Sequence, residues 1–158
     1  MAPLATRLVQ LIEMHSDRLA ETMLMKLQNC DKCGSFKYVP REEFRQRVYE
    51  VYEHLDEWLT SKREDDVARR YTEIGMQREQ QGVLLSELMY AIILTREHLW
   101  EYLQNETNVE KPAEVFGELE MLQLLEQFFD RAMYYAAQGY EKARAAKQER
   151  EVAHVVGR

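Results

Sequence analysis

The sequence predicts an all-α fold: a bundle of about five helices with a long C-terminal helix and no sheet. Three observations carry this. Apolar residues recur at three- and four-residue spacing through most of the chain. No segment keeps a period of two, the mark of a half-buried strand. Pro3, Pro40 and Pro112 each stand just ahead of a long helical pattern, where a missing N–H costs nothing.

The first helix is expected over about residues 4–28, with Leu8, Leu11, Ile12, His15 and Leu19 on one face. A loop over Asn29 to Val39 comes next and holds Cys30, Cys33 and Gly34. The second helix is expected over about 41–60, with Phe44, Val48, Val51, Tyr52, Leu55 and Leu59 inward. A polar link, Ser61 to Arg63, separates it from the third, about 64–81, whose stripe is Val67, Tyr71 and Ile74. Gly82 sits where a helix C-terminal glycine is expected. The fourth helix, about 85–104, contains Leu88 to Leu94, apolar all round, which predicts the most buried helix. Asn105 to Lys111 reads as a polar loop. The fifth helix is expected from about Ala113 to about Glu151, with Phe116, Leu119, Leu122, Phe129, Met133, Ala136, Tyr140 and Ala143 on its stripe. It would be roughly 58 Å long against roughly 38 Å for the first, so its last turns should protrude. The whole of 1–158 is expected to be one domain, with a core over about 4–145 and a helical extension and tail over 146–158.

Composition excludes several functions. A net charge of -7 opposes general affinity for nucleic acid or anionic membrane, because phosphate binding rests on clustered Lys and Arg. No apolar run is long enough to span a bilayer. The N-terminus lacks the charged and apolar blocks of a signal peptide, and two cysteines do not make a secreted disulfide framework. The cytoplasm is therefore the expected compartment. No serine sits in a glycine-flanked elbow, no glycine pattern makes a phosphate loop, and no Glu-x-x-His occurs for a di-iron site. An enzyme is not expected.

Two constellations remain. Cys30-Asp31-Lys32-Cys33-Gly34 supplies two thiolates at a spacing that can hold half of a tetrahedral zinc site, or a redox pair. One pair gives only two ligands, so zinc would need a second subunit or a histidine such as His15 or His54 brought close. The plainer reading is an ordinary pair of loop cysteines, with no cofactor. Arg78 continues the stripe Val67, Tyr71, Ile74, and Arg96 continues Leu88, Ile92, Leu99, Leu103. A guanidinium on an apolar stripe must be paired. Glu126, between Leu122 and Phe129, is one candidate partner. The structural reading is an internal Arg–carboxylate network. The functional alternative is a pocket in which Arg78 and Arg96 grip a small anionic ligand.

The segment Tyr71-Thr72-Glu73-Ile74-Gly75-Met76-Gln77-Arg78, then Gln81-Gly82-Val83-Leu84-Leu85-Ser86-Glu87-Leu88, then Arg96-Glu97-His98-Leu99-Trp100, resembles the N-terminal domain of the RsbRD-type co-antagonists of RsbT. The layout is similar over about residues 4–145, including an Arg-Ala and a Gly-Tyr in the last helix. The resemblance implies a non-catalytic sensory or interaction domain in bacterial stress signalling, working through protein–protein contacts. Such domains usually sit ahead of an output domain, so a signalling partner or output domain is expected. A homodimer through the last helix is expected from its overhang, the plainer alternative being a frayed, solvated tail. A small anionic-ligand or metal-binding sensor is the alternative. The resemblance supplies no catalytic residue and no role for the cysteines.

Overall fold

The computed structural model describes residues 4–106 and 112–157, with side chains from residue 7 to 106 and from 119 to 157. Pro3 and residues 107–111 of the expected polar loop lie outside the described residues, as does the side chain of Phe116. The described residues are helical almost throughout, with no strand among them. The order is α1 (Leu4–Met14), α2 (Ser16–Gln28), a 3-10 segment (Asp31–Tyr38), α3 (Arg41–Glu53), a π turn (Glu57–Ser61), α4 (Glu64–Gln80), α5 (Leu85–Glu106) and α6 (Pro112–Val156).

The all-α expectation holds, but the count of five does not. The expected first helix is two helices meeting at His15, whose φ of -105° and ψ of 16° leave the helical region. Hydrogen bonds cross the bend, His15 to the Leu11 carbonyl and Leu19 to the His15 carbonyl, so the axis changes direction without fraying. The bend sets the His15 ring beside Tyr102, with centroids 6.2 Å apart. The expected second helix stops at Glu53 and continues as the π turn, where Lys62 donates to the Glu57 carbonyl. The expected loop over Asn29 to Val39 is largely the 3-10 segment, which buries Cys33 and Phe36.

Burial follows most of the stripes, although Leu11, His15, Leu59, Leu122 and Met133 are only half-buried. Phe44, Val48, Val51, Tyr52 and Leu55 are buried, as are Val67, Tyr71 and Ile74. The run Leu88 to Leu94 is not buried all round. Leu88, Ala91 and Ile92 face the core while Met89, Tyr90, Ile93 and Leu94 are half-buried, so α5 is a one-sided helix. Leu119, expected on the last stripe, is 56% exposed. The buried line of α6 starts with Met121 and Leu125 and runs on through Phe128, Phe129, Ala132, Ala136, Tyr140 and Ala143.

The most extensive helix contact is α4 against α6. Small residues set its closeness. A Cβ on Gly75 would strike the Ala136 carbonyl oxygen, and one on Gly139 would strike the Thr72 carbonyl oxygen. The two backbones therefore touch at reciprocal glycines, flanked by Ala132 and Ala136, both wholly buried. α4 then ends in a Schellman motif: Gly82 donates to the Glu79 carbonyl, Val83 donates to the Arg78 carbonyl, and Gly82 takes a φ of +87°. Val83 tucks into the core at 1% exposure. The Tyr140 hydroxyl donates to the Val83 carbonyl at 2.6 Å, tying α6 to this corner.

α2 packs on α3 and α5, and the 3-10 segment packs on α5. Glu87 of α5 accepts from both the backbone N–H and the hydroxyl of Ser35 at 2.6 Å, and Leu84 donates to that hydroxyl. These bonds hold the Glu87 carboxyl below the usual carboxylate range.

Gly75→Ala or Gly139→Ala should push α4 and α6 apart, since a backbone oxygen cannot yield as a flexible side chain can. The expected loss is about 3 kcal/mol, the upper range for overpacking. Gly34→Ala, where a Cβ meets nothing within 4 Å, should stay within about 0.5 kcal/mol. Urea melts followed by circular dichroism measure all three.

Candidate functional site

Arg78 is the most buried charged side chain among the described residues, at 2% exposure. Its Nη1 donates to Glu43 Oε1 at 2.7 Å and to Gln81 Oε1 at 2.8 Å. Gln81 Nε2 in turn donates to both Glu43 oxygens at 3.0 Å. The three side chains close a ring across the start of α3 and the end of α4. Burial pushes the Glu43 carboxyl up, but the hydrogen bonds from Arg78 and Gln81 outweigh it and hold the group below the ordinary carboxylate range. Burial works on Arg78 in the other direction, and its guanidinium is drawn down from its usual value despite Glu43.

The cavity beside Arg78 is small, about 60 Å³, and its wall is mainly apolar, with Val51, Ile74 and Ile92 among its residues. Arg78 thus meets a protein carboxylate, and the adjoining space is below the roughly 300 Å³ of ordinary ligand sites. Arg96 stands in a different place, its side chain 21% exposed. Its Nη1 reaches Glu126 at 3.2 Å and Asp130 at 3.4 Å, while Trp100 Nε1 donates to the other Glu126 oxygen at 2.9 Å. Glu126 therefore serves Arg96 and not Arg78, and the two arginines do not share a pocket.

Cys30 and Cys33 lie side by side. The Cys33 N–H donates to the Cys30 carbonyl at 3.2 Å. Cys33 is 3% exposed and Cys30 half-buried. Burial, then the neighbouring Cys30 and the charge of Glu87, push the Cys33 thiol up to about 12. His15 packs on Tyr102, and His54 is exposed between Glu53 and Glu57. Neither is brought to the thiols, and no cluster of three or more metal-ligating side chains exists among the described residues.

Three partners were not legible in the sequence. Glu43 lies 35 positions from Arg78 and reads as an ordinary acidic residue in the first turn of a helix. Gln81 reads as polar filler before a glycine. His98, 7% exposed, pairs through Nε2 with the Thr22 hydroxyl at 2.8 Å and the Leu19 carbonyl at 3.2 Å. Burial, followed by the nearby Lys26, lowers its pKa and keeps the ring neutral. Only the placement of Arg78 on an apolar stripe signalled that a partner must exist.

Residues 17–155 match the family described as the RsbT co-antagonist protein rsbRD N-terminal domain. No curated protein and no solved structure is significantly similar to the chain.

Loss of either end of the Arg78–Glu43 pair should be unequal. Glu43→Ala strands a guanidinium that is 2% exposed and should cost about 3 kcal/mol. Arg78→Met leaves Glu43, 29% exposed, able to recover water while keeping Gln81, and should cost about 1–2 kcal/mol. The pH dependence has a fixed sign. A carboxyl with a lowered folded pKa contributes stability above its unfolded pKa, about 4.3, and loses it as pH falls through the folded value. Glu43→Gln should accordingly melt less steeply with falling pH below about 4.5 than the wild type. Parallel acid titrations of melting temperature measure the difference.

Proposed function

The chain belongs to the RsbT co-antagonist rsbRD N-terminal domain family, and from that premise we propose that it is a non-catalytic regulatory domain of bacterial stress signalling that acts through protein–protein contacts. The observation that carries the mechanism is the far end of α6. From Arg144 to Gly157 every residue is exposed, yet the helix continues unbroken to Val156. At about 1.5 Å per residue its 45 residues span roughly 67 Å.

That end carries an apolar seam. Val152 is 62% exposed, Val155 71% and Val156 78%, and they fall on one face at i, i+3 and i+4, with Ala145 one heptad earlier. Nine residues separate Val152 from Ala143, the last buried residue, which turns the seam about 180° from the core stripe. A second helix laid along it would meet no part of its own bundle. On this reading two copies pair in parallel through α6, and the signalling partner or output domain is engaged at the same end. No helix of the described residues is long and apolar enough to cross a membrane.

Light scattering of the full chain at tens of micromolar should report twice the 18.9 kDa of one copy. Val152→Glu with Val156→Glu should return it to one copy, with helix content and melting temperature near those of the wild type, because both side chains are exposed in the protomer. A wild-type chain that stays monomeric at high concentration overturns the paired arrangement.

A further inference from the structure

Between α2, the 3-10 segment and the start of α3 lies a cavity of about 350 Å³ that neither Arg78 nor Arg96 enters. Its volume falls within the range of roughly 300–1,000 Å³ typical of small-molecule sites. The inner wall is apolar and built from the buried Leu24, Leu27, Phe36 and Phe44. The two formally charged residues that line it are Lys37 and Arg41, and no carboxylate does.

Such a wall is unusual in this chain, where 28 acidic residues outnumber 21 basic ones. Arg45, Arg47, Arg70, Arg78 and Arg96 each reach a carboxylate on another helix. The Arg41 side chain has no hydrogen bond or ion pair among the described residues, and that of Lys37 meets only the ring of Tyr38, 5.1 Å from its centroid. Arg41 is also the first residue of α3, at the positive end of the helix dipole, and Pro40 supplies no side-chain cap there. An anion at this mouth would offset both cations; the helix end itself already has Glu42 and Glu43 in its first turn. A ligand that fills the cavity must also offer apolar surface to the leucines and phenylalanines.

We propose that this cavity is a binding site for a small organic monocarboxylate, its apolar body against Leu24, Leu27, Phe36 and Phe44 and its carboxylate at Lys37 and Arg41. The site is distinct from Arg78, whose charge Glu43 already meets, and it does not depend on the regulatory reading. The thiols form part of the wall. Cys33 is protonated and packs as an apolar group, while Cys30, half-buried, reports whether the cavity is filled.

Octanoate is the probe, added to the full chain at neutral pH and followed by calorimetry and by the rate at which iodoacetamide alkylates Cys30. Octanoate should saturate one site per chain and slow the alkylation. Acetate, which lacks the apolar body, should leave the rate unchanged, and octan-1-ol, which lacks the charge, should bind at least about tenfold more weakly. Lys37→Gln with Arg41→Gln should weaken octanoate by about tenfold or more while leaving helix content and octan-1-ol binding as they were. Both side chains are exposed, so the fold should tolerate the change; the comparison of octanoate with octan-1-ol on the wild type decides the charge requirement without the variant. The proposal is overturned if octanoate does not saturate at millimolar concentration, if it binds no better than octan-1-ol, or if it binds without protecting Cys30.

Discussion

The structure hangs on the close approach of α4 and α6. Gly75 and Gly139 each face a backbone carbonyl of the other helix, so the helices meet main chain to main chain. That spacing places the side chains further along both helices. One turn beyond Gly75, Arg78 is carried into the core against Glu43 of α3. Next to Gly139, Tyr140 is carried to the Val83 carbonyl. The corner between α4 and α5 is therefore held from inside by its own Schellman bonds and from outside by α6. α5 leaves that corner with Glu87 placed to capture Ser35, so the 3-10 segment, 52 positions away in sequence, takes its position from the same contact. Larger residues at either glycine would shift every one of these partners.

Charge does a different job from packing here. Arg45 bridges to Asp17 and Glu21, Lys26 to Glu101, Arg70 to Glu50, and Arg96 to Glu126, each joining two helices. Pairs of this exposure contribute about 0–1 kcal/mol each and weaken with salt. Their value lies in selecting which helix faces meet, since a rotated helix would bring like charges together in a chain already at -7. Arg78 is the exception, because its guanidinium has lost nearly all its water. Its pair with Glu43 need not add net stability over a well-packed apolar pair, yet the buried charge makes any other arrangement of α3 against α4 costly.

The sequence revealed what periodicity can reveal. Stripes on five segments, the glycine after α4 and the arginine on an apolar stripe all reflect a local repeat near 3.6 residues, and each has a one-dimensional signature. The bend at His15 has none, because its neighbours keep helical spacing on both sides and the hydrogen-bond ladder is retained. The π turn after α3 and the 3-10 segment are equally silent; each adds or removes a fraction of a residue per turn, which short windows cannot register. Leu119 sits at helical spacing from Leu122 and yet is exposed, because periodicity gives a face and not what covers it. The partner of Arg78 needed three dimensions altogether, since Glu43 is 35 positions away and has an adequate local explanation as a helix-start acid. The cavity near Cys30 was invisible for the same reason. Its walls come from three elements, and both cysteines that drew attention in the sequence line it.

Close contacts run without a gap from the 3-10 segment to α6. α6 has no proline after its first residue, and its buried stripe is continuous from Met121 to Ala143. A helix of that kind curves gently at most, because sharp kinks arise at a proline, a glycine–serine pair, a π-bulge or an inserted group. The buried part is gripped at the glycine contact and at Tyr140, and the Val83 corner that Tyr140 holds is joined through Leu84 and Glu87 to Ser35, beside the cavity. These hydrogen bonds run from 2.6 to 3.1 Å. Ser35, Leu84, Val83 and Tyr140 thus form one line of contacts, which meets α6 twelve positions before Val152.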